Sequence, residues 1–214
     1  LAEQAGADDL IAEAMNVEVG TLQVQGQHEA ADAIAIRALD YARSARVRGI
    51  TLQNLGRGAA ERSDFETSDR YFEESIRCFR LANYDLGLAI ALGNVARAAL
   101  DRGDVDRAIE LGDEAIALAR RLNALDLLLT GVQNQAAAFA ASGRHELAEA
   151  LLTEALGHFT SAGNLGRQAE CLEIMGELSA QRSGDGETAV RCFVRALTLA
   201  TRASDQALVD RLTT

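Results

Sequence analysis

The amino-acid sequence predicts an all-α fold built as a stack of helical hairpins, and three observations carry that prediction. Helix-favouring Ala and Leu dominate the 214 residues, proline and tryptophan are absent, and aromatics make up 4%, so the residues that favour strands are scarce. Apolar and small residues recur at helical spacing, as at Leu88, Leu92, Val95, Ala96 and Ala99. The pattern also repeats with a forty-residue period. Leu52, Leu92, Val132 and Leu172 stand forty residues apart, and Gly56, Ala96, Ala136 and Gly176 follow four residues later. Small residues therefore recur where two helices touch, and a period of this length marks a repeat whose units cover one another's apolar faces.

The elements follow in order. Residues from about Asp8 to Arg46 form a weaker first copy, with Gly26 as its turn, Ala31 as its small contact residue, and Ala35, Ala38 and Ala42 beyond. Its link to the next copy is about three residues short of the period, which leaves its register open. Further hairpins are expected over 49–83, 85–123, 125–163 and 165–202. In the second of these, Leu86 to Leu100 predicts the first helix. Arg102-Gly103-Asp104 ends it, because glycine takes the left-handed conformation and Asp caps the next helix. The second helix is expected from about Val105 to Leu122, with Ala108, Leu111, Ala115, Leu118 and Ala119 facing inward and Asn123 closing it. Ser63, Gly103, Gly143 and Gly184 mark the same turn in successive copies, an extra residue falling between Ser183 and Gly186. Residues 204–214, with Leu208 and Leu212, predict a capping helix, and the array is expected to run over 1–214 as one domain.

Charge and composition exclude several functions. With 21 Lys and Arg against 32 Asp and Glu, the net charge is −11, and the arginines are spread among acids. A nucleic-acid surface needs clustered cations instead, so no direct nucleic-acid contact is expected. No apolar run approaches the ~20 residues that span a bilayer, and the start is acidic where a secretory signal is basic and then apolar. Cys78, Cys171 and Cys192 fit neither a disulfide framework nor a paired metal site. They read as small buried apolar residues in a reducing, cytoplasmic setting. The first residue is Leu, which reads as the start of a piece of a longer polypeptide.

The run Leu92-Gly93-Asn94-Val95-Ala96, followed by Gly103-Asp104, Ala108 and Ala115, resembles the tetratricopeptide repeat, in its forty-residue variety with a Leu-Gly-Asn motif. The small residues at 56, 96, 136 and 176, the turn glycines at 103, 143 and 184, and Ala at 108, 148 and 189 match its consensus over about residues 8–214. Two features depart from it: Ala replaces most first-helix aromatics, and Ile174 stands where earlier copies have Asn. The Ala-, Arg- and Asp-rich style is similar to the C-terminal repeat arrays of large bacterial signalling ATPases and transcription regulators. The resemblance implies a right-handed α-α superhelix of about five hairpins, whose concave side is lined by the first helix of each pair and receives a protein or peptide.

With the Leu92, Val95, Ala96 and Ala99 columns used in packing, the opposite side of each first helix forms a polar stripe. Its members are Gln53, Asn54, Arg57 and Glu61, then Gly93, Asn94, Arg97 and Asp101, then Gln133, Asn134 and Ala137. Asn both donates and accepts, so a ladder at 54, 94 and 134 can match a peptide backbone, and Arg57 and Arg97 can grip a carboxylate. The resemblance implies ligand contact for the three Asn. The basic positions of the family's chaperone-binding carboxylate clamp hold Ile50, Ile90 and Thr130, which speaks against that ligand class. The same polar groups have a second use, in which Asn bridges adjacent repeats and Arg57 and Arg97 pair with Glu61 and Asp101 four residues on.

Other motifs carry no chemistry. His28-Glu29 and His145-Glu146 begin like a zinc-protease motif but lack its second His. Gly56-Arg57-Gly58 follows no strand and lacks the third Gly of a dinucleotide fingerprint, and Glu73-Glu74 reads as a solvated helix face. No catalytic residue, metal or cofactor is expected. The expected function is non-catalytic protein or peptide binding, as the sensor or docking part of a larger bacterial regulator. The alternative is a self-association arm building a homo-oligomer, motivated by the run Leu127-Leu128-Leu129, which cannot all face one repeat interface.

Overall fold

The computed structural model describes residues 2–182 and 186–213, with side chains from Gln4 onward. Ser183 and Gly184, expected at the last turn, lie outside the described residues. The described residues contain eleven helices and no strand. They are α1 (Ala2–Val24), α2 (His28–Leu39), α3 (Ala45–Glu61), α4 (Phe65–Leu81), α5 (Asp85–Asp101) and α6 (Val105–Arg121), then α7 (Leu125–Ala141), α8 (His145–Ser161), α9 (Leu165–Gln181), α10 (Gly186–Ala203) and α11 (Gln206–Thr213). The architecture is an all-α helical repeat. The chain divides into two units, Leu1–Ala98 and Ala99–Thr214.

Most of the helices stop at a single left-handed residue. The Gly103 N–H donates to the Leu100 carbonyl at 2.9 Å and the Asp104 N–H to the Ala99 carbonyl at 2.9 Å, a pairing that needs the positive φ of 80° at Gly103. The Asp104 side chain then accepts from the Arg107 N–H at 3.4 Å and starts α6. Ser63, Asn83, Asn123 and Ser204 take the same left-handed conformation without being glycine, so helix ends recur about every twenty residues. In the first copy α2 spans only 12 residues and ends at Leu39, which puts Ala42 in the connection to α3.

In the first unit α3 and α4 pack most closely. Gly49 and Gly56 of α3 meet Phe79 and Phe72 of α4, rings that are 1% and 2% exposed. Each buried Phe contributes about 1.5–3 kcal/mol. Ser75 Oγ donates to the Gly49 carbonyl at 2.8 Å and Ser68 Oγ to the Gly56 carbonyl at 2.9 Å; both hydroxyls are fully buried. The outward reading of Glu73-Glu74 needs correction on one side, because Glu74 accepts from Arg48 Nη2 of α3 at 2.8 Å.

In the second unit one core joins α6, α7, α8 and α9 around Val132, Leu152 and Phe159. Leu128 and Leu129 are buried in it and Leu127 packs against it. All three leucines of the run therefore serve a core that four helices share. Helix α11 closes this unit by setting Leu208 against Ala169 and Ala200.

Candidate partner-binding faces

The polar stripe divides into a part tied down inside the first unit and a part that reaches solvent. Asn16 and Gln23 stand one heptad apart on α1, so they share a face, and that face meets Thr51, Asn54 and Arg57 of α3. Asn16 Nδ2 donates to Thr51 Oγ1 at 2.9 Å, and Asn54 Nδ2 donates to Asn16 Oδ1 at 3.0 Å. Gln23 Nε2 donates to the Asn54 carbonyl at 3.0 Å, and Gln23 Oε1 accepts from Arg57 Nε at 2.9 Å. Arg57 Nη2 completes the set by donating to Asn54 Oδ1 at 3.2 Å.

This is a closed network. Asn16 and Gln23 are each 8% exposed and Thr51 is fully buried, so an unsatisfied member would cost about 1–3 kcal/mol. Asn54 and Arg57 therefore bridge helices, and Arg57 does so through Gln23. The i,i+4 partner expected for it is used elsewhere, since Glu61 lies 2.7 Å from His28 Nδ1 at the start of α2. Sequence reading missed Asn16 and Gln23 because the short link to the first copy shifts their register by three residues.

Gln53 is half-buried and makes no side-chain hydrogen bond among the described residues. The same holds for Asn94 on α5 and Asn134 on α7, while Gln133 is exposed and equally unengaged. Arg97 is exposed. Beside this stripe, Gln135 is 2% exposed and donates to Asp113 Oδ1 at 2.5 Å. At the far end the stripe closes again. Glu173 accepts from Arg211 Nε and Nη2 of α11, both at 2.6 Å, and Ile174 is buried against the core where earlier copies carry Asn.

The bidentate bond to Glu173 raises the pKa of Arg211 further. Burial, aided by the charge of Glu173, pushes the Glu177 carboxyl above its ordinary value. Cys171 is fully buried and donates to the Leu152 carbonyl at 3.3 Å; burial pushes its thiol up to about 12, so it is an inert packing residue. Among the described residues no group of His, Cys, Asp or Glu is placed to hold a metal, and no helix is long and apolar enough to cross a membrane.

Paired helices of near-constant length, a forty-residue period and small residues at the contacts define a helical-hairpin repeat protein. The tetratricopeptide repeat family matches residues 49–121, which run from α3 through α6. Solved structures share the fold. The crystal structure of BtubC (BKLC) from P. vanneervenii is 14% identical with a TM-score of 0.72, over 95% of this chain and 92% of that one. A point variant of the nearly identical TPR-like repeats of a putative kinesin light chain from Podosopora anserina is 14% identical with a TM-score of 0.76, over 92% and 98% of the two chains. The same repeats without that substitution give 16% and 0.71, over 92% and 97%. No curated protein matches the sequence. Repeats of this family generally mediate protein–protein interaction.

Proposed function

We propose that this chain is a non-catalytic domain that binds a protein or peptide, and that it serves as the sensor or docking part of a larger bacterial regulator in signal transduction or transcription control, in the cytoplasm. The observation that carries the reading is the state of the stripe. Asn94, Gln133 and Asn134 reach solvent with their side-chain amides unengaged, whereas the polar groups at 54 and 57 are consumed by α1. An amide that is held on a helix and offers both donor and acceptor is suited to a peptide backbone. The first unit offers Asn94, the second Gln133 and Asn134. Leu127 to Leu129 serve the core of their own unit, so the alternative of a self-association arm needs another surface.

A peptide selected from a random library on the intact chain provides the test, with affinity read by fluorescence anisotropy. The double variant Asn94→Ala, Asn134→Ala is expected to weaken binding about tenfold or more with the melting temperature unchanged. Equal affinity in the variant rejects the assignment.

A further inference from the structure

Two exposed faces depart from the solvated surface of a helical repeat. The first is on α1, where Leu10 is 67% exposed, Val17 73% and Val24 91%. These residues stand seven apart, and exposed Ala7, Ala14 and Thr21 fill the alternate positions, giving the three-four spacing of a coiled-coil seam. Helix α1 carries five carboxylates and no basic residue. Asp8, Asp9 and Glu13 are held by Arg43, Ser44 and Arg46, while Glu18, beside Val17, has no partner among the described residues.

The second face is on α10, where Val190 is 60% and Val194 59% exposed. In the repeat register the earlier hairpins place Asp69, Ile109 and Glu149 at the first of these positions and Glu73, Asp113 and Thr153 at the second. Five of those six are polar, so the last hairpin alone makes both positions apolar. Exposed Arg191, Arg195 and Arg202 flank the pair. Arg191 leans on Glu187 of its own helix at 3.7 Å; Arg195 and Arg202 have no ion pair among the described residues.

We propose that the outer face of α1 in one molecule packs against the outer face of α10 in a second copy of the chain, joining Leu10 and Val17 to Val190 and Val194 and Glu18 to the free arginines. Charge selects this occupant. Pairing α1 with α1 sets acids against acids and pairing α10 with α10 sets arginines against arginines, whereas the crossed pairing brings opposite signs together. The contact is heterologous, so a pair keeps one unused face of each kind, α10 on one molecule and α1 on the other.

Sedimentation velocity on the intact chain tests this over a series from about 10 µM to about 1 mM, the range suited to a contact below standard interface size. The average mass is expected to rise with concentration and to rise less in high salt. Val17→Glu and Val194→Glu change exposed side chains and should leave circular dichroism and melting unchanged. Each alone is expected to weaken association about tenfold or more, and an equimolar mixture of the two should form a 1:1 complex that grows no further, since one variant keeps α10 and the other α1. A wild-type chain that stays monomeric throughout overturns the proposal and leaves both faces to another partner. So does a mixture that fails to associate, or a single variant that associates like the wild type, which would indicate α1–α1 or α10–α10 pairing.

Discussion

Asn54 on α3 donates to the side-chain oxygen of Asn16 on α1 at 3.0 Å, and Asn16 in turn donates to Thr51 at 2.9 Å. One buried amide thus satisfies two groups of the neighbouring helix. Removing either Asn strands the other, so a double-mutant cycle of Asn16→Ala and Asn54→Ala is expected to show each single change costing about 1–3 kcal/mol, with clear coupling between them. Urea denaturation measures it, and additivity would mean that the pair does not cooperate.

Two glycines inside helices should respond in opposite directions. A Cβ on Gly49 would lie 2.7 Å from the buried Phe79 ring and 3.2 Å from Cβ of Cys78, so Gly49→Ala is expected to cost about 1–3 kcal/mol through overpacking. Around Gly93, in the Leu-Gly-Asn motif, nothing lies within 4 Å of such an atom. Gly93→Ala should therefore gain about 0.5–1 kcal/mol from the lower entropy of the unfolded chain and better helix propensity. Thermal melts of the two variants check both signs.

Glu177 sets a pH dependence. Its folded-state pKa is raised above the ordinary 4.5, first by burial and then by Glu173. The folded state therefore binds the proton more tightly, and stability falls as pH rises from the ordinary value through the raised one. Glu177→Gln is expected to melt above the wild type at pH 7, with the difference closing below about pH 4, where the carboxyl is protonated in both states. Paired melting curves across that range decide it.

The helical repeat was legible in the sequence because its cause is periodic. Leu92, Ala96, Gly103 and Ala108 each recur with the forty-residue step, and each has one steric job. What was not legible is aperiodic. Asn16 and Gln23 sit in a copy whose link is three residues short, so their meeting with Asn54 and Arg57 has no counterpart in other repeats to reveal it. Glu61 turned to His28 at the start of α2 instead of its i,i+4 neighbour, a contact that spacing within α3 does not reveal. The placement of the leucine run at 127–129 was not legible either, because the core it joins draws on α6, α7, α8 and α9 together and not on one pair of helices.

The side-chain bond from Arg167 to Asp126 joins residues 41 apart, about one repeat. No element within a unit has to wait for a distant segment of chain to close a long loop. Order can therefore grow hairpin by hairpin while the polypeptide is still leaving the ribosome, the earliest pairs settling before the later ones have been made.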